Sequence, residues 1–266
     1  VNMPAQDSIT PLLAASQQAH AEVAQVLCIA GAEKDVADQT GATALHLAAQ
    51  AGHCDLVHCL CEAGAHLDKV SSDGSTPLFR AAREGQLEAV KLLCKAGARK
   101  DLGRLGGATP LLASARAGHS SVVDALCMAR ADIDMPVKDG ATPLFVASQQ
   151  GHLDVVRYLT GAGALLNRPK HTGETPLFIA AHRGHLATVI CLWQAHADVD
   201  TAKHDSATPI FAAAAEGHLS VVRCLCKAGV KIDPQDDNGF TPLCIAAKHG
   251  HCKLVSFLCQ NRADIT

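Results

Sequence analysis

A threonine returns at every thirty-third residue: Thr10, Thr43, Thr76, Thr109, Thr142, Thr175, Thr208 and Thr241. Pro follows it in every copy except at Ala44, and Leu follows that in every copy except at Ile210. Eight in-phase copies confine the chain to a stacked array, in which each short unit buries its apolar face only against its neighbours.

Each copy reads like Asp139-Gly140-Ala141-Thr142-Pro143-Leu144-Phe145, followed by a small-residue stretch, Gly151-His152, an apolar stretch through Val155, Val156 and Leu159, and Gly163-Ala164. The Thr hydroxyl caps a first helix, and Pro suits the first helical position, where its missing N–H costs nothing. Leu144, Ala147 and Ser148 share one face of that helix, small enough for a neighbouring helix to approach closely. Gly151 supplies the left-handed residue that ends it, and the second helix carries the larger core residues. Between copies, Asp73-Gly74 and Asn238-Gly239 are turn dipeptides, which read as hairpin fingers.

This pattern resembles the ankyrin repeat, whose Thr-Pro-Leu-His-x-Ala motif and 33-residue period it follows from about Ala5 to Thr266. The resemblance implies an all-α ankyrin-repeat solenoid of helix-turn-helix pairs with projecting β-hairpin fingers. It also implies one domain over 1–266, with repeats at about 5–37, 38–70, 71–103, 104–136, 137–169, 170–202, 203–235 and 236–266. The chain departs from the motif where Phe79, Phe145, Phe178 and Phe211 replace the His kept at His46. Further departures are Ala19, Arg130, His196, Ser206 and Arg262 at glycine positions, and Gln86 at the position of the histidine after the first helix.

Composition narrows the function. At 48% hydrophobic the chain buries a core, and a net charge of −3 gives no overall basic excess for nucleic acid or an anionic membrane. No apolar run approaches the roughly 20 residues that span a bilayer. The start Val1-Asn2-Met3-Pro4 carries no secretory pattern and reads as an excerpt of a longer protein. Leu254, Val255, Phe257 and Leu258 in the last helix point the same way, since terminal repeats are normally polar outside.

Of twelve cysteines, Cys28, Cys61, Cys94, Cys127, Cys226 and Cys259 share one register position. Neighbours in such a ladder lie about 10 Å apart, beyond the roughly 7 Å a disulfide tolerates, so reduced, buried thiols are expected. His20, His53, His119, His152, His185, His218 and His251 also recur at one position, which marks them as packing or loop-bonding residues. His249, His251 and Cys252 come nearest to a metal cluster but straddle a helix end. No catalytic residue, metal or cofactor is expected, and Gly106-Gly107 lacks the Lys of a phosphate loop.

Function is then expected on variable surface positions. The first helices end in Gln17, Gln50, Arg83, Arg116, Gln149, His182, Ala215 and Lys248, a row without an acid. Finger tips add Arg104, Lys138, Arg168, Lys170, His171, Lys203 and His204, together with apolar Leu102, Leu105, Met135 and Val137. The candidate partner-binding set is Arg83, Arg104, Leu105, Arg116, Met135, Val137, Lys138, Gln149, Lys170, His171, His182, Lys203 and His204. It suits a non-enzymatic scaffold or adaptor that binds another protein, through an acidic or acidic-apolar segment, on a concave finger and first-helix surface. The alternative is a regulatory or targeting arm of a larger enzyme or channel. A monomer in the cytoplasm or nucleus is expected. Asn167 stands where other copies carry Asp, and the resemblance makes it a candidate for hydroxylation.

Overall fold

The structure is a computed structural model that describes residues 2–3, 9–261 and 263. Its contacts gather into two units, Val1–Lys138 and Asp139–Thr266. The first holds α1 (Pro11–Gln17), α2 (Ala21–Ile29), α3 (Ala44–Ala51), α4 (Cys54–Glu62), α5 (Pro77–Arg83), α6 (Leu87–Ala96), α7 (Pro110–Ala117) and α8 (Ser120–Met128). The second holds α9 (Pro143–Gln150), α10 (Leu153–Gly161), α11 (Pro176–His182), α12 (Leu186–Gln194), α13 (Pro209–Ala215), α14 (Leu219–Lys227), α15 (Pro242–Lys248) and α16 (Cys252–Gln260). Odd and even helices alternate as the first and second members of each repeat.

The recurrent threonine sets the helix starts. The hydroxyls of Thr10, Thr76, Thr109, Thr142, Thr175 and Thr241 accept from the N–H three residues on, at 3.1–3.3 Å. Thr43 does so within a capping box closed by His46. Thr208 is the exception, its buried hydroxyl having no partner.

First helices pack on first helices and second on second, α1–α3–α5–α7 and α2–α4–α6–α8 in one unit, α9–α11–α13–α15 and α10–α12–α14 in the other. The second helices supply the deepest residues. Leu60, Leu93 and Leu126, and Leu159, Leu192, Leu225 and Leu258, are fully buried. Each such Leu is worth about 1.5–3 kcal/mol of burial, so this one register position dominates the core.

The fingers are shorter than the hairpins expected from the turn dipeptides. Six of them close on themselves within five residues, as in Ser71 N–H to Ser75 O at 3.0 Å and Lys170 N–H to Glu174 O at 2.9 Å. A loop of that length leaves no room for a ladder, and the bridge between Ala37 and Thr43 is the one β pairing among the described residues. Adjacent fingers are tied through the backbone, Ser72 N–H to Thr40 O at 2.9 Å and His171 N–H to Asp139 O at 2.8 Å. At the opposite edge, Asp35, Asp68 and Asp101 each accept an N–H from 31 residues on, and Asn167 does the same for Asp198 at 2.9 Å. The bond needs only one carbonyl-type oxygen, which is why Asn substitutes for Asp there.

Among the described residues four hold a left-handed backbone without being glycine: Ala19, Arg130, His196 and Ser206, with φ of 61°, 65°, 69° and 63°. They are the glycine replacements visible in the sequence, so the register is kept at the expense of local strain. Arg262 falls outside the described residues.

Candidate partner-binding face

The row at the ends of the first helices is positioned by the next repeat. His119 Nε2 bonds the carbonyl of Arg83, His185 that of Gln149, and His218 that of His182, each at 3.1 Å; His251 bonds that of Ala215 at 2.9 Å. Gln86, which stands at the histidine position, donates from Nε2 to the carbonyl of Gln50 at 3.3 Å and so replaces the imidazole in kind. These four of the recurring histidines are therefore structural. His249 Nδ1 and His251 Nε2 share the Ala215 carbonyl at 2.7 and 2.9 Å, which accounts for the cluster that most resembled a metal site. Among the described residues no group of three or more His, Cys, Asp or Glu is placed to hold a metal ion.

Within Val1–Lys138 the arginines Arg80, Arg83 and Arg104 are each held by neighbouring side chains. Arg80 Nε bonds Ser75 Oγ at 3.0 Å and its Nη1 bonds Gln50 Oε1 at 3.2 Å. Arg83 grips Glu84 through Nε at 2.9 Å and Nη2 at 2.8 Å. Arg104 reaches back to the preceding finger, with Nη2 3.2 Å from Asp73 Oδ2 and Nε donating to the Asp73 carbonyl at 3.1 Å. Burial alone would raise Asp73, but hydrogen bonds from Ser75 and Ser71 and the charge of Arg104 outweigh it and hold the carboxyl far below the usual range. Arg116 and Lys138 are exposed. Of the apolar finger residues Leu105 alone is largely exposed, at 75%, and it rests against Gly74; Leu102, Met135 and Val137 are half-buried.

Within Asp139–Thr266 several candidate cations are matched in the same way. Lys170 Nζ lies 3.2 Å from Asp139 and 6.0 Å above the Phe145 ring; Lys203 Nζ lies 2.9 Å from Asp205 and 5.9 Å above Phe178. These lysines explain two of the His-to-Phe replacements, since the finger of the following repeat sets a cation and its stem over each ring. His182 Nε2 lies 3.6 Å from Glu216. His171 and His204 are exposed, their rings edged against Gly140 and Gly173, and Gln149 is half-buried. Lys248 sits 4.9 Å above the Phe240 ring.

Sequence reading missed Glu84 and Glu216, which lie one residue beyond the row and compensate two of its members. It also missed Arg80, although repeat alignment exposes it: the other copies of that position are Ala14, Leu47, Ala113, Val146, Ile179, Ala212 and Ile245. A groove of about 360 Å³ opens at Gln17, Leu47, Gln50, Glu84 and Gln86, so the depression on this face in the first unit is lined by neutral and acidic side chains. The cysteines are free, but they are half-buried or, at Cys244, Cys252 and Cys259, exposed. Their register position lies at the margin of the helix packing, which corrects the expectation of buried thiols.

No helix of the described residues is long and apolar enough to cross a membrane. A family model described as ankyrin repeats (3 copies) matches residues 12–104, 100–170, 160–236 and 193–266. No curated protein matches the chain.

Proposed function

Because the chain belongs to the ankyrin-repeat family, members of which generally act as protein–protein interaction modules, we infer that it is a non-catalytic adaptor whose finger and first-helix face binds an acidic, partly apolar segment of another protein. The observation that carries this reading is in the first unit, where Arg83 lies against Glu84 and Arg104 against Asp73, Arg80 is held by the neutral Ser75 and Gln50, and Lys138 is exposed. Exposed Leu105 beside Arg104 adds an apolar anchor of the kind that interface centres use. In the second unit Lys170, Lys203 and His182 each lie against a carboxylate, as Arg83 and Arg104 do in the first, which reduces the field of all five. The free thiols support a reducing compartment, cytoplasm or nucleus.

The test is capture from cell lysate with the chain beside its Arg83→Glu/Arg116→Glu/Lys138→Glu variant, read by mass spectrometry. A protein retained by the parent, lost with the variant and released by raised salt is the expected result, because rim charges act through screened fields. Identical recoveries with unchanged helicity would remove this face from consideration.

A further inference from the structure

Successive second helices leave grooves between them on the face away from the first helices. In the first unit one groove opens between α2 and α4, another between α4 and α6, and a third between α6 and α8. The same two register positions line all three: Cys28 and Cys59, then Cys61 and Leu92, then Cys94 and Ala125. The members of each pair stand 31 residues apart, one on each helix. No other two of the twelve cysteines have that spacing, so the α2/α4 groove alone sets thiol against thiol in this way.

This pair differs from the ladder in which neighbours are too distant to bond. Cys28 and Cys61 hold one register position a whole repeat apart, whereas Cys59 comes two residues earlier on α4 and enters the same groove as Cys28. The two thiols are hydrogen-bonded to one another. Both side chains are half-buried in the wall of a groove of about 550 Å³, which gives a small molecule room to reach sulfur. Among the described residues no third His, Cys, Asp or Glu is placed to complete a metal set, so the pair has the chemistry of a dithiol.

The two sulfurs are not equivalent. Burial raises both thiols above their ordinary value. At Cys28 the charge of Lys34 and the bond from Cys59 pull the other way, while at Cys59 the neighbouring Cys28 and Glu62 push further up. Cys28 is therefore the readier thiolate, and Cys59 is the partner that holds its proton longer.

We propose that Cys28 and Cys59 are an oxidisable pair, which a low-molecular-weight disulfide of the glutathione type converts into an intrachain disulfide joining α2 to α4. The Cys28 thiolate attacks one sulfur of the reagent, forming a mixed disulfide and expelling one reagent thiolate. Cys59 then gives up its proton to solvent and attacks Cys28 Sγ, closing the new bond and expelling the second reagent thiolate. Two protein thiols lose two electrons, and one reagent disulfide becomes two thiols that take up the two protons. The site lies on the second helices and rests on nothing in the reading of the finger and first-helix face.

The experiment treats the reduced full chain with oxidised glutathione until exposed Cys244 is modified, alkylates the remaining thiols, and reads the digested peptides by mass spectrometry. Cys28→Thr and Cys59→Ala serve as controls that keep the fold, since the chain itself carries Thr160 and Ala125 at these register positions. In the wild type the Cys28 and Cys59 peptides should be joined, lighter by two hydrogens than the reduced pair. In Cys59→Ala glutathione should stay on Cys28, and in Cys28→Thr no link should form at Cys59. The oxidised wild type should also unfold at higher urea than its reduced form, a shift that both variants lack. Separately alkylated Cys28 and Cys59 in a chain whose Cys244 is modified would overturn the proposal. So would glutathione that stays on Cys28 in the wild type, or a Cys28 left unmodified in Cys59→Ala.

Discussion

His46 shows how much one side chain does when it is buried among backbone groups. Its ring has no exposed surface, Nδ1 accepts the Thr43 N–H at 3.2 Å, and Nε2 faces the Ser75 carbonyl at 3.0 Å. That arrangement fixes the neutral tautomer with its proton on Nε2. Burial, only partly offset by the Ser75 bond, pushes the pKa down from 6.5 to about 4. The unfolded chain therefore binds a proton at this site before the folded one does. The stabilisation is complete above the unfolded value and is lost as pH falls from 6.5 towards 4, by up to roughly 3 kcal/mol. In denaturant titrations at pH 7 and pH 4.5, His46→Phe, the substitution the chain itself makes at Phe79, Phe145 and Phe178, should reduce the difference between the two pH values. An equal difference in the variant would assign the acid sensitivity to the carboxylates. The same residue was legible in the sequence as the surviving motif histidine. Its partner Ser75, 29 positions on, was not, because the contact is made by stacking and leaves no local pattern.

Among the elements, the repeat junction rests on a glycine and a ring. A Cβ on Gly85 would lie 2.8 Å from the His119 ring, and Gly151, Gly184 and Gly217 meet His185, His218 and His251 in the same way. Gly85→Ala should thus displace His119, break its bond to the Arg83 carbonyl and destabilise by about 2 kcal/mol, combining left-handed strain with the lost contact. Most of the contact part should vanish when His119→Ala is already present, which a double-mutant cycle in urea measures. Ala19 bears out the logic from the other side. It carries the Cβ, and His53 above it makes no ring bond to the first repeat among the described residues. The opposite change is favourable at Arg130, whose φ of 65° is strained and whose copies Gly31, Gly64 and Gly97 have open space around them. Arg130→Gly should raise stability by about 0.5–1 kcal/mol after the entropy of glycine is deducted, and no gain would place the strain elsewhere. Helix starts and these turns were readable because Thr, Pro and Gly act through bonds within a few residues. The pairing of Arg83 with Glu84 and of His182 with Glu216 was not, since a row chosen at one register conceals the residue beside it.

For the whole molecule, a stack whose repeats touch only their neighbours spreads damage no further than its couplings carry it. Repetition made the eight helix pairs and the buried Leu position legible at once. It could not show that Val23 is exposed while Leu56, Ala89 and Val122 are covered, since burial at that position belongs to the neighbour and not to the residue. The same dependence sets the unfolding behaviour. Leu126 in α8 is fully buried, and Leu126→Ala removes its methyl groups and leaves a cavity, for a loss of about 2–5 kcal/mol. Leu126 lies in the unit Val1–Lys138, whereas Trp193, the single tryptophan, lies on α12 in Asp139–Thr266. Tryptophan fluorescence therefore reports the second unit, and far-ultraviolet circular dichroism reports both. In the variant, urea should bring an early loss of ellipticity while Trp193 fluorescence holds, giving two midpoints where the parent gives one. Midpoints that move together in both signals would mean that coupling along the repeats exceeds the energy removed, and that the two units unfold as one.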